Sequence, residues 1–554
     1  MKITGAEILL ECLKREGVRY IFGNPGTTEV AILDALVETP EINYILTLHE
    51  SVAVGMADGF ARAGGGPGFV NVHTSTGTAN SIGNLFNAYI DGTPLIMTIA
   101  IKDTRILGRD CFSEVPDILG MTRQFAKWSW QVLRPDKIAE NTFRAFKVAN
   151  SPPYGPAFLA IPEDFLAQKV EIEIPPSQSF KSPLKMQANP EEIEKAVKLL
   201  LEAKRPLMIA GNEIAKTGAI KEAKELAELL ALPVMTEGRQ SLGFMNFPTT
   251  HPLYRGLFDP QSGHAKAADI LLGVGCKMFV ETRYSETPDI GKRVKTIHLH
   301  SDPAQIARLY PVEVPIVTEA REGLTDLIES AKNMISEEKA LGFRERFQKL
   351  EEEKEREEFS KSRQIQAAWD KVPIRLEQLI KEIDEVADRD AIIVDEAVRS
   401  SRSLLNLYHF SQPETYFCNS GGYLGWGLPS SLGIKLALPQ RQVIALVGDG
   451  TFLFSIQALW TAARYDIPVI IIVCNNRGYK AVRDAATRFK GKAVEKGIFI
   501  GSSINEPAPN LSKIAEGFGV FGTCIEEPGE IRPALEKALH SGKPAVLDVL
   551  LEQI

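Results

Sequence analysis

The stretch Val443–Asn476, VIALVGDGTFLFSIQALWTAARYDIPVIIIVCNN, limits what this chain can be more than any other. An apolar run without polar alternation reads as a strand buried on both faces. The first run ends in Gly448-Asp449-Gly450, a helix-period segment follows, and a second run ends in Asn475-Asn476, with 24 residues between the two motifs. Such a βαβ unit brings two strand ends around one polyanion. Glycines let the backbone approach phosphate oxygens with its N–H groups, and a helix start adds positive potential. Asp449 and Asn476 supply hard oxygens that suit magnesium, which takes one or two protein oxygens and fills its octahedron with ligand phosphates and water. Gly-Asp-Gly alone is an ordinary strand-to-helix turn, and Asn-Asn alone an ordinary strand end. Their pairing at one βαβ length is far more specific.

At 554 residues the chain exceeds one core, and about 150 residues per domain suggests three or four. Residues 1–175 alternate helix-period segments with YIFGNPG, INYILTLHE, PGFVNVHTSTG, TPLIMTIA and GPAFLAIPEDF, a rhythm that predicts a parallel sheet covered on both faces. A Pro- and Ser-rich linker, IEIPPSQSFKSPLKMQANP, precedes a second such unit over 190–335 with PLMIAG, ILLGVG and VKTIHLH. EEKALGFRERFQKLEEEKEREEFSKSRQ reads as an exposed helix laced with i,i+4 ion pairs. A third unit over 364–554 carries AIIVDEA, ETYFCNSGG, the two motif strands and PAVLDVLLE. The expected fold class is α/β, with three doubly wound parallel-sheet domains.

A net charge of −8 and a pI near 5.7 argue against nucleic acid and anionic membranes as partners. No apolar run approaches the ~20 residues that span a bilayer, and the N-terminal MKITGAEILLECLKREGVRY carries acidic residues, so a cytoplasmic location is expected. The six cysteines form no C-x-x-C pair, which points to reduced thiols rather than disulfides or zinc. His298 and His300 alternate on one strand as a candidate metal pair, with no third ligand in view.

GDG, about two dozen residues and NN together resemble the signature of thiamin-diphosphate-dependent enzymes. FGNPGTTE (Phe22–Glu29), LTLHESVAVGMADGFARA and NVHTSTGTANSIGNLFNAYIDGTPLI narrow the resemblance to the 2-oxo acid decarboxylase and acetolactate synthase group, nearest benzoylformate decarboxylase. The resemblance implies an N-terminal pyrimidine-binding, a middle and a C-terminal diphosphate-binding domain, with thiamin diphosphate and Mg2+ as cofactors. It implies Asp449, Asn476 and the Gly478 carbonyl as metal ligands, and Gly448, Gly450, Thr451 and Tyr479 near the diphosphate. Ser400 and Ser401 are further phosphate candidates. In NSGGYLGWGLPSS it implies the Gly422 carbonyl as acceptor for the cofactor's amino group and Leu424 as the wedge that bends the cofactor.

Glu50 matches the glutamate that bonds the aminopyrimidine ring, where a carboxylate favours the tautomer able to remove a weakly acidic carbon-bound proton. His73 matches a catalytic histidine and Thr27 a substrate-contacting serine. In this family the glutamate and the diphosphate motif come from different subunits, so the resemblance implies at least a homodimer, with a dimer of dimers (a homotetramer) expected. The implied reaction is non-oxidative decarboxylation of a small 2-oxo acid. FAD, usual in acetolactate synthases, is not supported, because the middle domain has no G-x-G-x-x-G at a strand-to-helix turn.

Some residues depart from the benzoylformate pattern. GCKMFVETRYSE has Thr282 where that enzyme has a second catalytic histidine, and Ala481, Val482 and Ala485 stand where it places a bulky aromatic. LGRDCFSEVPDILGMTRQFAKWSW, with Phe112 and Arg123, resembles acetolactate synthase more closely. A carboligase that joins 2-oxo acid-derived units is therefore the alternative reading. A non-catalytic paralogue would have no chemical reason to keep Glu50, Asp449 and Asn476 together.

Overall fold

The computed structural model of the chain describes residues 2–181, 186–282, 284, 286, 290, 291 and 293–552. The middle of the expected linker, 182–185, and positions 283 and 285 of GCKMFVETRYSE lie outside the described residues. Three six-stranded sheets centre three α/β domains, and every strand pair within them is parallel. The apolar runs become strands buried at every position, as in Leu95–Ile101, Pro206–Ala210, Ile270–Val274 and Ile470–Asn475. Helices on both faces leave no room for the polar alternation of a half-exposed sheet.

With strands numbered in chain order within each sheet, the N-terminal and C-terminal sheets share one topology, 2-1-3-4-6-5, whereas the middle sheet runs 3-2-1-4-5-6. The order of the two outer sheets reverses between their first and third strands. In the N-terminal sheet those are Tyr20–Asn24 and Gly68–His73; in the C-terminal sheet, Ile392–Glu396 and Val443–Gly448. The crevice beyond the carboxyl ends of such a pair is where open α/β sheets bind ligands.

Three elements differ from the sequence reading. Trp128–Gln131 adds an edge strand beside Ala157–Pro162. The segment after Gly448 is two short helices, Asp449–Leu453 and Gln457–Arg464. The charged helix spans Glu337–Ala368, past Gln364, and buries Phe343, Leu350 and Lys354 while most of its charges face solvent.

The two outer domains meet through helices Glu50–Arg62 and Gly427–Ala437, which touch backbone to backbone. A Cβ on Gly59 would lie 2.8 Å from Ser430 Cα, and one on Gly433 would press into the Met56 carbonyl, whose carbon is 2.8 Å away. Arg62 binds all three domains at this junction. It pairs with Asp91 Oδ2 at 3.1 Å, donates to the carbonyls of Gly243 (2.7 Å) and Cys418 (2.8 Å), and stacks over Phe244.

Candidate active site

The N-terminal group forms where Tyr20–Asn24 and Gly68–His73 end side by side. His73 is the last residue of its strand, and Thr74, with φ 44°, turns the chain sharply into helix Thr74–Asp91. Backbone in this region is strained for a β-branched residue and tends to collect at functional sites. The Thr74 hydroxyl is buried without a hydrogen-bond partner among the described residues.

His73 Nδ1 lies 2.9 Å from Glu29 Oε2 and 3.0 Å from Thr28 Oγ1. Glu29 is fully buried and also accepts the amides of Gly26 (2.9 Å) and Ala100 (3.0 Å). A carboxylate anchored in this way accepts from Nδ1–H and leaves Nε2 as the working nitrogen. Gly26 is required for the contact, since a Cβ there would lie 2.6 Å from His73 Cε1. Thr27 stands exposed beside this pair.

Glu50 opens helix Glu50–Arg62 and is 8% exposed. Its two oxygens accept from Asn24 Nδ2 (3.3 Å) and Asn80 Nδ2 (2.9 Å). Asn24 ends the strand next to His73, so Thr27, Glu50 and His73 share one edge of one sheet.

The C-terminal group forms at the matching edge of the third sheet. Asp449 Oδ2 accepts the Gly478 amide at 2.8 Å, and burial pushes its carboxyl up to about 6 although backbone amides oppose the shift. The two asparagines divide the work: Asn475 donates to Asp548 Oδ1 at 2.8 Å and fixes the strand end, whereas Asn476 Oδ1 is buried with no partner among the described residues. An orphaned amide oxygen, a carboxylate destabilised by burial and a nearby carbonyl form a hard-oxygen donor set that a divalent cation would satisfy. Among the described residues the Gly478 carbonyl accepts a single 3.2 Å bond, from Lys480 N. At Gly450 a Cβ would lie 2.5 Å from Tyr479 Cε1, so that ring packs directly on the motif. The residues fit a magnesium diphosphate.

The Thr451 hydroxyl is spent on the carbonyls of Gly448 (2.8 Å) and Glu396 (3.2 Å). Ser400 is buried just after Ile392–Glu396, and Ser401 donates to Asp395 Oδ1 at 2.9 Å. Gly422 has φ 85° and is exposed, and Leu424 is half-buried. Their loop is fastened to helix Thr74–Asp91: Asn87 accepts the Tyr423 amide (3.1 Å) and Asp91 the Ser420 amide (3.2 Å). Among the described residues no hydrogen bond joins Glu50 to the Asp449 group.

Two buried acids were not singled out from sequence. Glu29 was visible only as the end of FGNPGTTE. Glu396 accepts the amides of Gly425 (2.9 Å), Trp426 (3.1 Å) and Gly427 (2.7 Å), holding the loop after Leu424, and burial raises it to about 7. His298 and His300 are not a metal pair in this arrangement. One bonds the Cys276 carbonyl at 2.9 Å, the other the Asp302 amide at 2.9 Å, and burial drops both to about 4. Thr282 is exposed.

The thiamine pyrophosphate enzyme family matches this chain in three parts: its N-terminal TPP binding domain over 3–121, its central domain over 193–327 and its C-terminal TPP binding domain over 398–549. The chain belongs to this family. Within it, the chain is similar to both acetolactate synthases and benzoylformate decarboxylases. It is 30% identical to a Methanocaldococcus jannaschii protein described as "Probable acetolactate synthase large subunit", covering 99% of this chain and 92% of that one. It is 29% identical to benzoylformate decarboxylase of Pseudomonas aeruginosa, covering 98% of each. A solved structure, the thiamine diphosphate-dependent 4-hydroxybenzoylformate decarboxylase of Rhodococcus jostii RHA1, superposes over 100% of both chains with TM-score 0.85 at 25% identity.

Proposed function

We propose that this chain is a thiamin-diphosphate- and magnesium-dependent carboxy-lyase that decarboxylates a 2-oxo acid without oxidation. The observation that carries this reading is the His73–Glu29 pair at 2.9 Å on the same sheet edge as Glu50. With Nδ1 held by Glu29, His73 Nε2 is free to give or take a proton at the substrate's oxygen or carbon. Thr27, exposed beside it, is the hydroxyl that binds the substrate carboxylate. Glu50, clamped by Asn24 and Asn80, holds a proton at the cofactor's pyrimidine. Asp449, Asn476 and the Gly478 carbonyl hold Mg2+, while the backbone at Gly448, Gly450 and Thr451, with Tyr479 and Ser400 alongside, encloses the diphosphate. The Gly422 carbonyl and Leu424 set the bend of the cofactor. Thiamin diphosphate, when bound, supplies the electron sink into which the carbon–carbon pair moves as CO2 leaves.

As the family resemblance implies, Glu50 serves the Asp449 group of a second copy, so the working unit is at least a homodimer, with a dimer of dimers expected. Exposed apolar side chains support such an assembly: helix Lys480–Phe489 buries no residue, and Phe489 and Ile500 are 84% and 92% exposed. No helix among the described residues is long and apolar enough to cross a membrane, and we assign the enzyme to the cytoplasm.

Thr282 favours a second reading, a carboligase, because the histidine expected to protonate the product carbon is replaced by an exposed hydroxyl. The experiment is incubation with pyruvate and, separately, benzoylformate in the presence of thiamin diphosphate and magnesium. Aldehyde with CO2 supports the lyase, and a 2-hydroxyketone with CO2 supports the carboligase. Absence of CO2 from a panel of 2-oxo acids would reject both.

A further inference from the structure

A large cavity lies away from both candidate groups, where all three domains meet. Its volume is about 880 Å3, and none of Glu50, His73, Asp449 or Asn476 lines it. The N-terminal domain contributes Thr93, Pro94 and Tyr154, and the C-terminal domain Pro413 and Phe417. Phe244, Met245 and three lysines, Lys216, Lys221 and Lys224, come from the middle domain. Small-molecule sites have this size, favour domain junctions, and set a few polar groups in an apolar wall.

The charge on this wall is not balanced internally. Two of the three glutamates on its rim pair with cations elsewhere, Glu225 with Lys332 (2.6 Å) and Glu414 with Arg441 (3.9 Å), while Glu228 is turned to His251 (2.9 Å). Among the described residues, Lys221 and Lys224 form no ion pair. They are three apart on helix Ile220–Leu229 and share one face. Lys216 is exposed along its stem, and its Nζ donates to the Asp91 carbonyl, a neutral acceptor. Desolvation lowers its pKa to about 8, so the ammonium lacks a full counter-charge. Arg62 also lines the cavity; its side chain is 1% exposed, and its Nε has no partner among the described residues.

We propose that this three-domain cavity binds a small organic anion with an apolar body. One negative group would rest against Lys216 and a second near Lys221 and Lys224, with the body against Phe244 and Phe417. Such a ligand would be felt at a distance. Lys216 and Arg62 both hold Asp91, whose carboxylate accepts the Ser420 amide, two residues before Gly422. That coupling rests on the proposed cofactor role of Gly422; the binding itself does not.

Phenyl phosphate is a suitable probe, titrated calorimetrically into the full chain with and without thiamin diphosphate and magnesium. One site per chain is expected that persists when the cofactor is bound. Phenol and inorganic phosphate should each bind about tenfold more weakly, a loss of about 1.4 kcal/mol. Lys221→Ala combined with Lys224→Ala should weaken phenyl phosphate about tenfold, and Lys216→Met should do the same. A second readout avoids variants altogether: pyridoxal phosphate with borohydride should label Lys216 in peptide maps, and phenyl phosphate should protect it. The proposal is overturned if no binding occurs at millimolar probe, if the cofactor displaces the probe, or if the lysine substitutions leave affinity unchanged. Because the readout is binding, it stands or falls independently of any decarboxylase activity.

Discussion

Gly433→Ala tests whether the fold and the site depend on one helix contact. A Cβ on Gly433 would sit 2.8 Å from the Met56 carbonyl carbon, where ordinary contact begins at 3.4 Å. The helices Glu50–Arg62 and Gly427–Ala437 must therefore part by at least 0.6 Å (3.4 − 2.8), and both sides of the contact are backbone, which cannot rotate away as a side chain can. Overpacking of a close-packed interior costs about 1–3 kcal/mol, and the rigid geometry places this substitution at the upper end. For a domain of this size the melting temperature should fall by roughly 6–12 °C. Activity should fall further than stability, because Glu50 rides on the displaced helix and an error of about 1 Å in a catalytic group can cost roughly a hundredfold. Gly342→Ala is the control: it lies within helix Glu337–Ala368, a Cβ there meets nothing within 4 Å, and removing a helical glycine should add up to ~1 kcal/mol. Differential scanning fluorimetry and CO2 release measure the two effects. A Gly433→Ala protein that melts within a degree of the parent and turns over normally would refute the contact and the positioning argument together.

Asp449→Asn should abolish the stabilisation that thiamin diphosphate and magnesium give the parent, which amounts to about 2.7 kcal/mol at a hundredfold excess over Kd; an unchanged cofactor-induced shift in melting temperature would remove Asp449 from the metal site. Glu50→Gln should retain that shift and lose turnover by orders of magnitude, as judged by calorimetry beside steady-state rates. Glu29→Gln should leave cofactor binding intact and lower kcat about tenfold or more through misorientation of His73; an unaltered rate and pH profile would make the pair structural. Glu396 has a folded-state pKa near 7, raised by burial from 4.5, so its contribution to stability is fully present below pH 4.5 and is lost as pH rises through 7, by up to about 3 kcal/mol. Glu396→Gln should therefore flatten the dependence of melting temperature on pH between 5 and 8, and an identical slope would contradict it.

What the sequence made legible follows from which interactions are local. Ile470–Asn475 and Val443–Gly448 announce themselves because a strand covered on both faces needs unbroken apolar side chains, and the Gly-Asp-Gly turn between strand and helix is contained in consecutive residues. Trp128–Gln131 escaped notice for the converse reason: as an edge strand with partly exposed positions it carries no apolar run. Glu29 was invisible as an anchor because its partners, Gly26, Ala100 and His73, reach it from three separate segments. The division between Asn475 and Asn476 was equally hidden, since only the position of Asp548 on a neighbouring strand decides which amide is spent on structure. Gly59 and Gly433 show the limit most plainly. Each sits in a helix where glycine costs stability, and only the opposite backbone explains why alanine is absent. The local motifs name the cofactor, whereas the groups that aim its chemistry are defined by contacts between elements far apart in the chain. It follows that substitutions at Glu29, Glu396 and Gly433, which no motif marks, should discriminate among mechanisms as sharply as substitutions within the motifs themselves.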